Sequence, residues 1–268
     1  MSMPKLSLPM CLFCLFFHGA CFAQSKLTFC VELSEYPPFN YLQKSDSATP
    51  NIVGYDIDIL KLVFEPENIE YEVVALPWRR CLKEVENGLI DGAMSASLNG
   101  QRKHRYIPSK AYYALKPSYY YLETDFPNGL TINKASELAH YKPVCGISGF
   151  NYDNFGYHDI KEIFRIKDLY LLPKMLEQKR CRVFLARSEV FAATLQLRNL
   201  SHFDFALIEK VIPNLPPEPF HMLVSRLSPH KEVILSLFNK RITNLEASGQ
   251  LEQLLKYHSK MPGLLNHK

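Results

Sequence analysis

The chain has 268 residues, 47% hydrophobic and 22% charged, with a formal net charge of +4. That composition is of a globular protein with a sizeable core and excludes a disordered or fibrous chain; the charge is too small to imply nucleic acid as a partner. The nine histidines are scattered without ligand spacing, and of the seven cysteines the one C-x-x-C, Cys11 to Cys14, lies in the apolar N-terminal run and is not a zinc or redox motif.

The first 23 residues read as a secretory signal peptide. Lys5 precedes "LSLPMCLFCLFFHGACFA", an apolar run ending in small residues, with cleavage expected after Ala23. The run is shorter than the ~20 residues of a membrane span. Cys21 as a lipid-bearing cysteine is the alternative, although His18 stands where an aliphatic residue is wanted. Export removes Lys5 and no acid, leaving a net charge of +3, and takes Cys11, Cys14 and Cys21 out of the mature chain. Cys30, Cys81, Cys145 and Cys181 remain, compatible with two disulfides in an oxidising compartment or with four buried thiols.

From Lys26 strand and helix signals alternate. "KLTFCVEL" predicts a strand ending at the loop "SEYPPFNY"; "GYDIDILKLVF" predicts a helix with Asp56 near its start, where a carboxylate accepts backbone N–H bonds. "IEYEVVAL" predicts a strand, "PWRRCLKEVENG" a helix closed by Gly88, and "LIDGAMSA" a third strand. This order implies a parallel sheet with crossover helices. "KPSYYYLET" is β-prone, "KPVCGIS" and "RCRVFLA" are strand-like, "GFNYDNF" is turn-like, and "DLYLLPKMLEQK" is helical in spite of Pro173. These make a second, smaller α/β lobe. After the proline-rich "IPNLPPEPF" come a β-prone "FHMLVSRL", a helix begun by Ser228 and Pro229 and stopped by Gly249, and a short final helix. The chain is therefore expected to cross into a second lobe and return, with lobe 1 over 24–117 plus 219–268 and lobe 2 over 118–218, joined by two hinge strands.

The segments "EYPPFNY", "GYDIDIL", "LIDGAMSASLNGQR", "AYY", "VCGISGFNYDNF" and the closing "FHMLVSRLSPHKEVILSLFNKRITNLEASGQLEQLLKYH" together resemble bacterial extracellular solute-binding proteins of family 3. The resemblance covers nearly the whole mature chain. It implies an α/β, two-lobed periplasmic-binding-protein-like (type II) fold that closes on a small solute. It also implies a periplasmic monomer that delivers the solute to an ABC permease in the inner membrane, with no cofactor and no metal.

By that resemblance Arg102, one short loop after the third strand, takes a ligand carboxylate, with Arg105 as competitor in the same basic cluster. Ser95 and Ser97 match ligand-touching serines, in a loop one residue shorter than in the amino-acid binders and with Asn99 for the usual threonine. Tyr36 matches a stacking aromatic, Trp78 follows the second strand, and Phe39 reads as packing. Asn151 and Tyr152 are expected at a helix start, where free N–H groups favour an anion. The aspartate that holds the ammonium in amino-acid binders is replaced within "ARSEV" by Arg187, Ser188 or Glu189. Pairing Cys30 with Cys81 and Cys145 with Cys181 keeps both disulfides within lobes. The chain lacks the zincin, P-loop and nucleophile-elbow motifs, and a binding protein rather than an enzyme is expected. The rivals are a cyclohexadienyl dehydratase-like enzyme using Glu189 and a ligand-sensing component of a signalling system.

Overall fold

The computed structural model describes residues 26–43, 51–200 and 205–260. The signal-peptide assignment, with Cys11, Cys14 and Cys21, lies outside these residues. Among the described residues no helix is long and apolar enough to cross a membrane.

The first sheet is laid down by β1 (Leu27–Glu32). Next come a small antiparallel pair, β2 (Tyr41–Gln43) and β3 (Asn51–Val53), then α1 (Tyr55–Phe64), β4 (Tyr71–Leu76), α2 (Trp78–Glu86) and β5 (Gly92–Ser97). A six-residue helix α3 (Gly100–Arg105) and two short strands, β6 (Tyr106–Pro108) and β7 (Tyr113–Leu115), lead out of it. β8 (Pro117–Leu122) opens the second sheet. It is joined there by β9 (Val144–Ile147), β10 (Phe164–Ile166), α4 (Leu172–Glu177), β11 (Val183–Arg187), α5 (Ser188–Leu197) and β12 (Leu207–Val211). The chain then returns through β13 (Glu218–Ser225) to the first sheet and ends in α6 (Lys231–Ala247) and α7 (Gln250–Lys260).

The strand order is β4-β1-β5-β13-β6 in the first sheet, with β7 also on β13, and β10-β9-β11-β8-β12 in the second. In each, the crossover strands are parallel, β1 with β4 and β5, β9 with β10 and β11; the strands nearest the crossings, β8 and β13, pair antiparallel to them. Right-handed crossovers need a helix or loop to return the chain, which explains why the parallel members are those the sequence separates by helical or looped segments. Two connections join the sheets, β7 to β8 and β12 to β13, and they form the hinge of a two-lobed α/β fold.

Several local expectations change. Pro173 lies in the first turn of α4, where its missing N–H costs nothing, so that helix begins at Leu172 instead of running through "DLYLLP". α5 follows β11 directly, and β10 and β12 are short edge strands, none of them evident in the alternation of apolar residues. The start of α1 is not capped by Asp56. Gly54, at φ 125, precedes the helix, where a Cβ would run into the carbonyls of Phe39 and Pro38. Those two carbonyls instead accept the N–H groups of Asp56 and Tyr55, at 2.8 and 3.1 Å. The helix thus pins the loop that carries Tyr36 and Asn40, and Asp56 is turned inward.

Disulfides join Cys30 on β1 to Cys81 on α2 and Cys145 on β9 to Cys181 just before β11, with Cα atoms 5.7 and 5.8 Å apart. Each lies within one lobe, so neither spans the hinge. Replacing Cys145 and Cys181 together by serine is expected to cost about 2–4 kcal/mol, measured by urea unfolding. Thiol titration of the denatured mature protein should find no free sulfhydryl, and four would contradict both pairings.

Candidate functional site

The carboxyl ends of β1, β5 and β11 point into the space between the lobes, and there lies a cavity of about 30 Å³. The first lobe contributes Glu32, Tyr36, Asn40, Trp78, Met94, Ser95, Ser97, Arg102 and Phe220; the second contributes Phe150, Asn151 and Arg187. That volume has room for about two or three waters, and larger cavities of about 470 and 170 Å³ adjoin it, sharing Arg102, Asn151 and Phe150 or Glu32, Trp78 and Phe150.

The floor is a buried polar network built around Asp56. Its carboxylate accepts hydrogen bonds from Asn40 Nδ2 (2.6 Å), Ser95 Oγ (2.6 Å) and the Tyr112 hydroxyl (2.7 Å). Tyr113 Oη in turn donates to Ser95 Oγ at 2.7 Å, and the Ser95 N–H donates to Tyr112 Oη at 2.9 Å. Burial pushes the Asp56 carboxyl above its ordinary pKa, and the three donors pull it back only in part. Ser95 reaches this position because β5 bulges. Ala93 and Ala96 pair with Leu223 and His221, so Met94 and Ser95 face the single residue Met222, and Ser95 takes φ 59. A bulge re-aims a side chain at the cost of local strain, here turning a serine from the strand face into the floor.

Arg102 forms one wall. Asn99 caps α3 by accepting the Arg102 N–H at 2.9 Å, which holds the arginine's backbone beside the end of β5. Its Nη1 donates to Ser97 O (2.8 Å), its Nη2 lies 3.5 Å from Gly149 O across the cleft, and the guanidinium sits 5.7 Å above the Trp78 ring. Carbonyls and a π face carry no full negative charge. Burial, and then the nearby Arg187, lower the Arg102 pKa to about 10, so it stays charged at neutral pH in a setting that favours an anion. Of the basic cluster only Arg102 is turned inward; Lys103, His104 and Arg105 are exposed, and Arg105 faces Glu86 at 3.7 Å.

Arg187 forms the opposite wall, and unlike Arg102 it has its own counter-ion. Its Nε and Nη2 donate to Glu218 Oε2 at 2.7 and 2.6 Å, and Nη2 also reaches Asn151 O at 2.9 Å. The rings of Phe150, Phe155 and Phe220 stand 5.1–5.4 Å from the guanidinium carbon. Burial disfavours the charged form, yet Glu218, with Tyr36 and Tyr152, holds the Arg187 pKa above the ordinary arginine value. Glu218 opens β13, the strand that returns to the first sheet, and Arg187 closes β11 of the second sheet, so this ion pair lies at the crossing between the two sheets. Asn154 Nδ2 adds a bond to Glu218 Oε1 at 2.9 Å.

Further bonds close the cleft. Asn151 Nδ2 donates to Ser97 Oγ (3.2 Å) and Leu98 O (3.3 Å), Asn154 Nδ2 to Leu98 O (2.9 Å), and Arg198 pairs with Glu35 at 2.6 Å.

Of the residues singled out in the sequence, Tyr36, Trp78, Ser95, Ser97, Arg102 and Asn151 meet at this cavity. Tyr152, Ser188 and Glu189 do not line it. The Tyr152 hydroxyl is spent inside the second lobe, accepting the Ile147 N–H at 2.6 Å, and no α-helix starts at Asn151, only a three-residue turn of 3-10 helix over Asp153–Phe155. Ser188 bonds Ser118 and Glu209 on the far side of β11, and Glu189 accepts the Lys116 N–H at 3.1 Å. Within "ARSEV" the residue that faces the cleft is therefore Arg187, because the strand runs one residue further than "RCRVFLA". Asn40, Glu218, Phe150 and Phe220 escaped the sequence reading; all four lie in loops or at a strand start, where no periodicity marks a side chain. Among the described residues no group of three or more His, Cys, Asp or Glu is placed to hold a metal ion.

The Arg187–Glu218 pair carries a direct test. Glu218→Gln leaves a buried guanidinium uncompensated and is expected to destabilise the protein by about 3–5 kcal/mol, read as a lower urea midpoint at unchanged slope. Exchanging both partners for Met and Leu should recover most of the loss. A cost below ~1 kcal/mol for the single change would show that the pair is not dry.

Solved structures with this arrangement of lobes are numerous. The amino-acid ABC transporter substrate-binding protein AbpA from Streptococcus pneumoniae, bound to L-arginine, superposes with a TM-score of 0.67 at 18% identity, covering 88% of this chain and 94% of its own. The arginine-, lysine-, histidine-binding protein ArtJ from Geobacillus stearothermophilus gives 0.66 at 16% identity, over 87% and 94%. In sequence, a probable histidine-binding protein of Neisseria gonorrhoeae is 21% identical over 236 residues, 86% of this chain and 82% of that protein. Residues 27–260 match the bacterial extracellular solute-binding proteins, family 3, and with that span, nearly all of the described chain, the protein belongs to this family.

Proposed function

We propose that this protein is a periplasmic solute-binding protein that closes on a small, carboxylate-bearing solute of the amino-acid class and presents it to an ABC permease in the inner membrane. The observation that carries the reading is the asymmetry of the two buried arginines. Arg187 is neutralised by Glu218, whereas Arg102 is buried among carbonyls and the Trp78 face without an acid. A guanidinium so placed gains most from a planar anion that takes two parallel hydrogen bonds, which is the geometry of a carboxylate.

The lobes, 24–117 with 219–268 and 118–218, would move as units about the two crossings. Opening breaks the bonds of Asn151 and Asn154 to the first lobe, and a ligand touching both walls favours the closed state by the difference in its contacts. The relatives point the same way: the Neisseria protein is described as a probable histidine-binding protein, and the Streptococcus and Geobacillus proteins take arginine or other basic amino acids. In this reading the mature protein is exported through its cleaved signal peptide, works as a monomer without a cofactor, and has no catalytic role. The non-enzymatic part gains support from Glu189, the carboxylate an enzyme on this fold would use, which is turned to the Lys116 backbone and away from the cavity.

A thermal-shift screen of amino acids and organic acids tests the proposal, since a ligand at 100 times its Kd adds about 2.7 kcal/mol of stability. Carboxylates should raise the melting temperature of the wild-type protein. Arg102→Ala should abolish that rise, and an undiminished rise in the variant would remove Arg102 from the site.

A further inference from the structure

We propose that the flank of the cleft enclosed by α2, α3 and the second lobe is a further anion subsite, which takes a carboxylate or phosphate group carried on the distal end of the ligand. This rests on the reading of Arg102 as the carboxylate-binding residue and extends it outward. The cavity of about 470 Å³ on that flank shares Arg102, Phe150 and Asn151 with the small cavity, so a ligand anchored on Arg102 can reach into it without leaving the cleft. Its volume lies within the range of small-molecule sites, about 300–1,000 Å³.

The lining of this cavity is unbalanced in charge. Five cations, Arg79, Lys83, Arg102, Arg105 and Arg165, face two acids, Glu86 and Asp153. Glu86 is already shared between Lys83 at 3.3 Å and Arg105 at 3.7 Å. Arg79, Arg102 and Arg165 have no carboxylate partner among the described residues. Arg165, half-buried on β10, donates to Phe150 O at 3.2 Å and to Ile147 O and Ile160 O at 3.4 Å, and its guanidinium lies 5.0 Å from the centre of the Tyr152 ring. Arg102 reaches Gly149 O, the carbonyl that precedes Phe150 O in the chain. Two guanidinium groups from opposite lobes are thus held on neighbouring carbonyls of one loop. Like charges in that arrangement repel, and an anion that meets both relieves the repulsion.

Arg79 is an independent sign. It stands in the first turn of α2, a turn without an acid, where the helix dipole disfavours a cation. Its side chain makes no hydrogen bond or ion pair among the described residues. A cation kept in an unfavourable place with nothing to hold is open to an incoming group. The opposite flank has no comparable field: the cavity of about 170 Å³ there is lined by two acids, Glu32 and Glu35, and two cations, Arg79 and Lys167. A distal anion is therefore drawn to the α3 side.

Isothermal titration of the full mature protein tests the subsite, with 2-amino dicarboxylic acids of increasing chain length and with O-phosphorylated 2-amino acids. Each is paired with its uncharged counterpart, the ω-amide or the free alcohol, so the two series separate carboxylate from phosphate as the distal group. For at least one pair the charged member should bind about tenfold tighter, by a margin that shrinks as salt is added. Arg79→Ala, at an exposed position, should cut that margin about threefold and leave the Kd of the uncharged counterpart in place. Lys256→Ala, which removes a charge on α7 instead, should keep the margin intact. The inference is overturned if no charged member outbinds its counterpart, if Arg79→Ala preserves the margin, or if Lys256→Ala lowers it as much as Arg79→Ala does. Uncharged counterparts that bind the wild type and not Arg102→Ala uphold the carboxylate reading whatever the margin. If no member of any pair binds, that reading falls and this inference falls with it.

Discussion

A guanidinium removed from water must be answered by a carboxylate, by carbonyls or by an aromatic face, and the cleft between the lobes has to meet that demand twice. At Arg187 the answer is internal and complete, a Glu218 carboxylate with three phenylalanine rings around it. At Arg102 it is partial, two carbonyls and one indole. The rest of the site is arranged around this inequality. Charge in excess of its local partners is what a binding protein can offer a solute, and only one of the two arginines has it. Buried pairs such as Arg187–Glu218 add little net stability over an apolar substitute, but they are costly to break. A pair at the crossing of two lobes therefore penalises any hinge movement that would separate its members.

The floor beneath the cavity shows how backbone irregularity is put to use. An unbulged β5 would point Ser95 to one face of the sheet and leave Asp56 with two donors instead of three. The bulge opposite Met222 and the left-handed turn of Ser95 bring hydroxyl and N–H into the same network, so Asp56, Tyr112, Tyr113 and Asn40 lock one another. The strain is confined to one residue, and the reward is shared by five side chains.

Much of this fold is legible in the sequence. The first three strands and two helices announce themselves by apolar spacing, and the return of the chain follows from the β-prone runs on either side of the middle block. The elements that apolar spacing does not reveal are physically of another kind. β10 and β12 are three- and five-residue edge strands with much of their length exposed, and α5 begins on the residue after β11 with no loop to announce it. At the site, residues at strand ends were readable because ligands gather there in α/β sheets. Asp56 reads in the sequence only as a cap, because a carboxylate in the first turn of a helix suggests one; the packing of Gly54 against the 36–40 loop makes that role unnecessary. Glu218 sits between prolines, where neither period nor motif distinguishes a hinge acid from a solvated one.

The bridge between Cys30 and Cys81 has a kinetic side. It fastens β1 to α2, the two elements whose ends supply Glu32 and Trp78 to the cavity. The wall that holds Trp78 against Arg102 is thereby braced within the first lobe, independently of the second. In the proposed function, encounter and retention would then depend on different parts of the chain: capture on this braced half-site, and dwell time on the bonds by which Asn151 and Asn154 hold the second lobe over it.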